Sequence, residues 1–308
     1  MFSFTKKQKG NRLSALVPGS AGTACATVLK TGSGRLKLEQ AGVFRPNPGQ
    51  SLAEHLQQLK HQFTLSRNRT TTLLPMGDYH LMMVDAPEVP PAELKAAVRW
   101  RIRDRIDFHI DDALLDVFDA PPSGARGVQE SLYVVVSRTS TVQSLIEPFD
   151  AAGIDLGIID IPELAMRNIA AQLAADKEGM ALLFFEEDHV LVTLTRNATL
   201  YLARNMDFGY RQLQETPELA NRLALELQRS MDYYDRHFQQ APISSVVLCP
   251  LPVALPGMEL RLAEHTGLSV QSINLSEIIE VDENVEVGQL SGCMLAIGAA
   301  LRTEMTQL

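Results

Sequence analysis

The sequence predicts an α/β protein built from two similar halves around a cleft, with a module inserted into the first half. Three observations carry this reading. The stretch MALLFFEEDHVLVTLTRNATLYLARNMDFG, residues 180–209, reads as three strands joined by two tight turns. The first half opens the same way, with apolar strand candidates at 13–17, 23–30 and 35–44 separated by Gly-Ser turns. After the second meander comes SSVVLC, residues 244–249, a continuous apolar run of the kind buried in a parallel sheet.

Along the chain, the first twelve residues, MFSFTKKQKGNR, hold Lys6, Lys7, Lys9 and Arg12 and no acid. They read as a flexible basic tail (1–12) that can touch an anionic membrane surface, at roughly 1 kcal/mol per basic residue. No apolar run follows it, so it is not a signal peptide. The first half is expected at 13–85 and 154–178. After its meander, Ser51-Leu52-Ala53-Glu54 starts a helix through about residue 66, with Leu52, Leu56, Leu59 and Phe63 at helical spacing. The inserted module is expected at 86–153: a helix from Pro91 to Ile106, a strand, the strand SLYVVVS, and a helix from Thr139 to Ala152.

The second half is expected at 179–308. Its meander, with strands near 180–186, 189–196 and 199–205, leads to a long helix. Thr216 is expected to cap that helix, Pro217 suits its first turn and Glu218 faces its positive end. Leu223, Leu227, Met231, Tyr234 and Phe238 make its apolar stripe. A helix near 256–266, a strand at 268–274 and a helix near 291–303 complete the half.

Composition narrows the function. The 308 residues are 45% hydrophobic and 21% charged, which is ordinary for globular chains. The net charge of −9 argues against a nucleic-acid binder working through a basic surface. The longest apolar run, CMLAIGAAL at 293–301, is far short of the roughly 20 residues that span a bilayer. Cys25, Cys249 and Cys293 lack metal spacing and read as reduced, buried cysteines of a cytosolic protein.

Several stretches occur in one order: AVRWRIRDRIDFHIDDALLDVFD, LYVVVSR, AAGIDLGIIDIPELAMRNIA, LALELQRSMDYYDRHF and AIGAALR. In this order the chain resembles the PilM family of type IV pilus assembly proteins and, within it, the MshI-like branch of the mannose-sensitive haemagglutinin (MSHA) pilus. The resemblance covers nearly everything after the basic tail. It implies an actin-like fold related to FtsA: two RNase H-like halves and an inserted subdomain in the first. In the better-known members the cleft binds ATP. A groove involving the inserted subdomain takes the short cytoplasmic tail of a bitopic inner-membrane protein resembling PilN. The implied protein is a cytoplasmic scaffold, peripheral to the inner membrane through its partners.

The residues argue against the nucleotide. Phosphate binding needs glycine-rich turns, where backbone N–H groups reach the oxygens, and a carboxylate for Mg²⁺. The first turn keeps Gly19 and Ser20, the residues expected to meet a nucleotide if one binds, but its carboxylate position is apolar. The second turn is Glu186-Glu187-Asp188, read as a solvated hairpin turn whose carboxylates repel a triphosphate. The adenine-side loop is Cys249-Pro250-Leu251-Pro252, where proline removes donors. No ATP, Mg²⁺ or other cofactor is therefore expected, and no catalytic residue.

Other chemistry is sparse. The seven histidines are scattered, and Asp104, Asp107, Asp111 and Asp112 read as a solvated acidic loop rather than a metal site. Trp100 stands out. On its helix, Leu94, Val98, Ile102 and Ile106 form the buried stripe and Trp100 lies on the opposite side. Trp100 and Arg103 are the candidate partner-binding residues, since exposed aromatics anchor interfaces. Packing of Trp100 between the insert and the main body is the alternative, and Arg99, Arg101 and Arg105 either meet a partner's acids or solubilise the helix. The expected function is a non-enzymatic scaffold. Two other readings are a weak ATPase of the actin/FtsA type and the cytoplasmic part of a secretion protein resembling GspL.

Overall fold

The structure is a computed structural model that describes residues 2–3, 11–32, 34–65, 68–122 and 130–303. In the first half, β1 (Phe2–Ser3), β2 (Arg12–Gly19), β3 (Gly22–Lys30) and β4 (Leu36–Phe44) lead to α1 (Leu52–Gln62) and β5 (Arg69–Leu73). Ser51 caps α1 in a capping box with Glu54, as the Ser-x-x-Glu spacing dictates. Next come β6 (Tyr79–Asp85), α2 (Leu94–Ile102), β7 (Ala113–Asp119), β8 (Ser131–Arg138) and α3 (Thr139–Ala151). The chain then returns through β9 (Leu156–Asp160) and α4 (Pro162–Ala170).

The second half holds β10 (Met180–Phe185), β11 (Val190–Arg196), β12 (Thr199–Met206), α5 (Tyr210–Glu215), α6 (Leu219–Phe238), β13 (Ser245–Leu248), α7 (Met258–Thr266) and β14 (Ser269–Ser272). It ends with α8 (Leu275–Ile278), β15 (Glu280–Val281) and α9 (Met294–Ala300). Three sheets result. The first runs β1-β9-β5-β2-β3-β4-β15, the second β12-β11-β10-β13-β14, and the third, in the insert, β6-β8-β7. In the second sheet β10, β13 and β14 are parallel, and β10, β13 and β11 are buried along their length, which explains their unbroken apolar runs.

Several expectations are corrected. Thr216 does not cap α6. It ends α5, and residues 217–218 form a turn before α6 begins without a side-chain cap. The helix expected over 91–106 is α2 flanked by two 3₁₀ turns, Pro91–Glu93 and Arg103–Arg105. Residues 79–85, read as part of the first half, hydrogen-bond into the insert sheet as β6. Arg12, read as tail, belongs to β2 and pairs through two hydrogen bonds, 2.6 and 2.9 Å, with Glu39. Phe2–Ser3 pair with β9 at a sheet edge, where an open ladder offers hydrogen bonds to any nearby chain. Lys6, Lys7 and Lys9 lie outside the described residues.

The halves are joined by a crossing of helices. The C-terminal segment leaves the second half, adds β15 to the edge of β4, and lays α9 under the first sheet. There α9 meets α4, and the two share one core with Met180, Leu182 and Phe184 of β10. Burying side chains such as Leu164, Ile169 and Ile297 stabilises by about 1.5–3 kcal/mol each. The helices touch where Gly298 faces Ala165: a Cβ on Gly298 would lie 2.3 Å from the Ala165 carbonyl oxygen. Asn168 Nδ2 donates to the Gly298 carbonyl at 2.9 Å beside this contact.

The insert sheet is covered on one face by α2 through Val98 and Ile102, which pack on Val84, Leu115, Val134 and Val136. Its other face lies on the body, where the Tyr133 hydroxyl donates to the Tyr201 carbonyl of the second half at 2.7 Å. No disulfide joins Cys25, Cys249 and Cys293, and all three are buried. No helix among the described residues is long and apolar enough to cross a membrane.

The Gly298 contact predicts that Gly298→Ala forces α4 and α9 apart. Urea denaturation should show a loss of about 1–3 kcal/mol with an unchanged m value. An unaltered midpoint means that the helices absorb the methyl group and that their close approach does not set the geometry.

Candidate functional site

The site is built from the first hairpin turns of the two halves, residues 19–22 and 186–189. On the first side, β2 and β3 close through an exposed turn, Gly19-Ser20-Ala21-Gly22, in which Gly19 pairs with Gly22. Gly22 is required by packing. Its φ is +129°, and a Cβ there would lie 2.5 Å from the Phe44 carbonyl oxygen. Packing on β4 thus accounts for Gly22 but not for Gly19, where a Cβ would make only an ordinary 3.6 Å contact with Gly22 O.

On the second side, β10 and β11 close through Glu186-Glu187-Asp188-His189, with Glu186 N–H donating to the His189 carbonyl at 2.8 Å. This turn is not simply solvated. Its carbonyls cap the start of α5: Tyr210 N–H donates to Glu186 O at 2.9 Å and Arg211 N–H to Glu187 O at 3.2 Å. The backbone approach is so close that residue 209 has no room for a side chain. A Cβ there would lie 2.3 Å from Glu186 O and 2.4 Å from Asp188 N. Glu187 pairs with Arg211, and Asp188 with His189 at 2.8 Å, which holds the Asp188 carboxyl below its usual range. Glu186 is half-buried, and loss of water pushes its carboxyl up.

Within electrostatic reach of Glu186 stands a group that the sequence reading missed. β9 ends at Asp160, and α4 starts with Pro162-Glu163. The Tyr79 hydroxyl donates to Glu163 Oε2 at 2.5 Å. Burial raises the pKa of both groups, and Tyr79 also feels the negative charges of Asp160 and Glu186. Asp160 is 1% exposed and binds Arg302, 4% exposed, at 2.6 Å. That pair ties the end of the first sheet to the second residue after α9. The sequence carried one local signal of it, an Asp closing the apolar strand LGIID immediately before a Pro-Glu helix start.

The nucleotide-side loop after β13 begins with Cys249, whose N–H donates to Leu183 O at 2.8 Å and whose side chain is in the core. Beside this loop is a cavity of about 230 Å³ lined by Leu213, Pro217, Leu255, Pro256, Met258 and Arg261. Ligand pockets usually span about 300–1,000 Å³. Glu186, Asp188 and His189 place three ligand-type atoms within 4.8 Å of one another. The His189–Asp188 hydrogen bond already joins two of them.

On the insert, Trp100 is 70% exposed, and the Arg103 guanidinium lies 5.8 Å from its ring centroid. Packing against the body is thereby excluded for Trp100, and the structure brings the two candidate residues together. The neighbouring arginines brace the insert. Arg99 donates to the carbonyls of Ile110 and Ala113, Arg101 to Asp85 O and Arg105 to Met83 O. Of the acids read as a solvated loop, Asp107 meets His80 at 3.2 Å and Arg138 at 3.7 Å.

No protein-family model and no curated protein sequence matches this chain. Solved structures do. A PilM–PilN type IV pilus biogenesis complex includes a chain 20% identical to this one, with a TM-score of 0.74 over 94% of this chain and 97% of that one. The cytoplasmic domain of EpsL, an inner-membrane component of the type II secretion system of Vibrio cholerae, is 13% identical, with a TM-score of 0.50 over 92% and 94%. A Bacteroides thetaiotaomicron protein with an actin-like ATPase fold is 10% identical, with a TM-score of 0.51 over 96% and 98%. The chain has an actin-like fold.

The raised pKa of Glu163 has a definite sign. Its folded form holds the proton more tightly than the unfolded chain, so it carries no penalty below the ordinary value of 4.5 and a growing one as pH rises above it. Glu163→Gln keeps an acceptor for the Tyr79 hydroxyl and removes that penalty. The melting temperature of the variant relative to wild type should rise between about pH 4 and about pH 8. A difference that stays flat with pH means that Glu163 is ionised without penalty.

Proposed function

We propose that the chain is a scaffold of a type IV pilus machine, acting by binding rather than catalysis. It holds the short cytoplasmic tail of a PilN-like bitopic inner-membrane protein and resides in the cytoplasm, at the membrane through that partner. The observation that carries this reading is the likeness, over nearly the whole chain and the insert with it, to a structure of a PilM–PilN complex. The ordered stretches that resemble the MshI-like branch support an MSHA-type pilus in particular. The tail docks on the outer face of α2, where Trp100 supplies the apolar anchor and Arg103 the charge.

Binding proceeds without ATP hydrolysis in this reading. Support comes from the turns. Gly22 and Gly209 are explained by backbone packing, the carbonyls of the second turn are engaged by α5, and that turn carries the carboxylates Glu187 and Asp188 next to Glu186. Anionic groups so placed disfavour a triphosphate. The EpsL likeness gives the second reading, a scaffold of a secretion machine, which keeps the same kind of partner.

The test is a pair of calorimetric titrations, with Mg-ATP and with the N-terminal peptide of a PilN-like bitopic membrane protein. The peptide should bind saturably, ATP should not, and Trp100→Ala should weaken the peptide by about tenfold, equal to about 1.4 kcal/mol. Saturable ATP binding with Mg²⁺ dependence supports the ATPase reading instead. Unchanged peptide affinity in Trp100→Ala moves the groove elsewhere.

A further inference from the structure

The insert sheet has an edge that is neither paired nor buried. Among the described residues, β6 has one sheet neighbour, β8. In an antiparallel ladder, the N–H and C=O of a residue point the same way, alternately toward and away from the partner strand. Met83 O and Asp85 O accept from Arg105 Nη1 at 3.1 Å and Arg101 Nη1 at 3.0 Å, so these two residues face away from β8. Their oxygens are two residues apart, about 6.6 Å along the strand. Two guanidinium groups thus stand in a row at strand pitch, on a segment packed beside the sheet.

Alongside this edge runs a groove of about 490 Å³, lined by Met83, Asp85, Arg101, Arg105 and Ser131 of the insert and by Tyr233 of α6. It is the largest of the cavities described. Arg101 and Arg105 are both exposed. Each guanidinium has five N–H donors, of which the strand carbonyl takes one. An incoming extended chain replaces these contacts without loss. Its backbone N–H groups meet the carbonyls of Met83 and Asp85, and its carboxylates take the released guanidinium groups in bidentate pairs. One acid, Asp85, faces this groove against two arginines, so the local charge favours an anionic guest.

We propose that the β6 edge is a docking site for an extended, acidic segment of a partner protein, which adds as a fourth strand to the insert sheet with its carboxylates on Arg101 and Arg105. This surface is distinct from the Trp100 face of α2 and does not depend on the pilus reading.

The experiment uses the full chain and two fluorescein-labelled peptides of about nine residues, one alternating Glu and Thr and the other Lys and Thr. In fluorescence anisotropy the Glu peptide should bind saturably and weaken with added salt, and the Lys peptide should not bind. The double variant Arg101→Glu/Arg105→Glu should lose the Glu peptide by more than about tenfold and gain the Lys peptide. Met83→Pro removes an N–H that faces away from β8, so it spares the ladder and should block strand addition. Trp100→Ala should leave the Glu peptide unaffected. Failure of the Glu peptide to bind, equal binding of the two peptides, or undiminished binding in the charge-reversed variant overturns the proposal. Where Met83→Pro fails to fold by circular dichroism, the charge reversal decides alone. Loss of tail binding in the calorimetry above, with Glu-peptide binding intact, separates failure of the scaffold reading from failure of this one.

Discussion

The contact between Gly298 and Ala165 sets the distance between the two halves. Helices pack 8–10 Å apart according to the side chains between them, and small residues permit the close end of that range. Here the α9 backbone rests against the α4 backbone, with no side chain of either residue to act as a spacer. Each helix leads into a different part of the molecule. α4 begins at Pro162, two residues after the strand end Asp160, and α9 ends at Ala300, two residues before Arg302. The buried Asp160–Arg302 pair therefore forms only when the crossing is in register, and breaking one side of such a pair typically costs about 3–5 kcal/mol. The crossing and the ion pair support each other: apolar packing supplies the driving force, and the charge pair admits one register.

That register decides what the turns can do. With the halves this close, Glu186 of the second half comes within electrostatic reach of Tyr79, which is bonded to Glu163 of the first. Loss of water pushes the Glu163 and Glu186 carboxyls upward, and the hydrogen bond to the phenol orients Glu163. Acidic groups of both halves thus converge on Tyr79. The loop after β13 contains prolines and borders a small cavity. A fold built to open and close around a nucleotide needs turns whose N–H groups point into the gap. In this chain the second turn directs its Glu186 and Glu187 carbonyls into α5 instead.

The long elements were legible because their information is local. The stripe Leu223, Leu227, Tyr234 and Phe238 marks α6, and the runs between Met180 and Met206 mark a meander. The Ser51–Glu54 box marks the start of α1. β5 was not legible, because its Thr70, Thr71 and Thr72 read as polar. They are buried, with the Thr72 hydroxyl donating to Leu16 O at 2.7 Å. β15 is two residues long and acquires its identity only from β4. The site failed for the same reason. The Glu-Glu-Asp turn looks solvated in isolation, yet Glu186 is half-buried and lies within electrostatic reach of Tyr79, distant in sequence. The glycine that the turn seemed to lack is supplied at Gly209, where the turn's own backbone leaves no room for a Cβ.

Gly22 carries the converse lesson. Of the two glycines that bound the first turn, the Phe44 carbonyl requires Gly22, while Gly19, the one read for phosphate, has room for a Cβ. Residue type reports a constraint without naming its source. The arginines of α2 and the turn after it show this again. As a sequence, Arg99, Arg101, Arg103 and Arg105 are one basic run along an expected helix. In the fold they have three different surroundings. Arg99 ties the helix to the loop ahead of β7, Arg103 lies near Trp100, and Arg101 and Arg105 close the edge of β6. An edge closed by backbone packing or by proline would be permanent. An edge closed by two exposed side chains is closed only until better hydrogen-bond partners arrive. The insert thus combines an immobile face against the body with an edge whose covering can be exchanged.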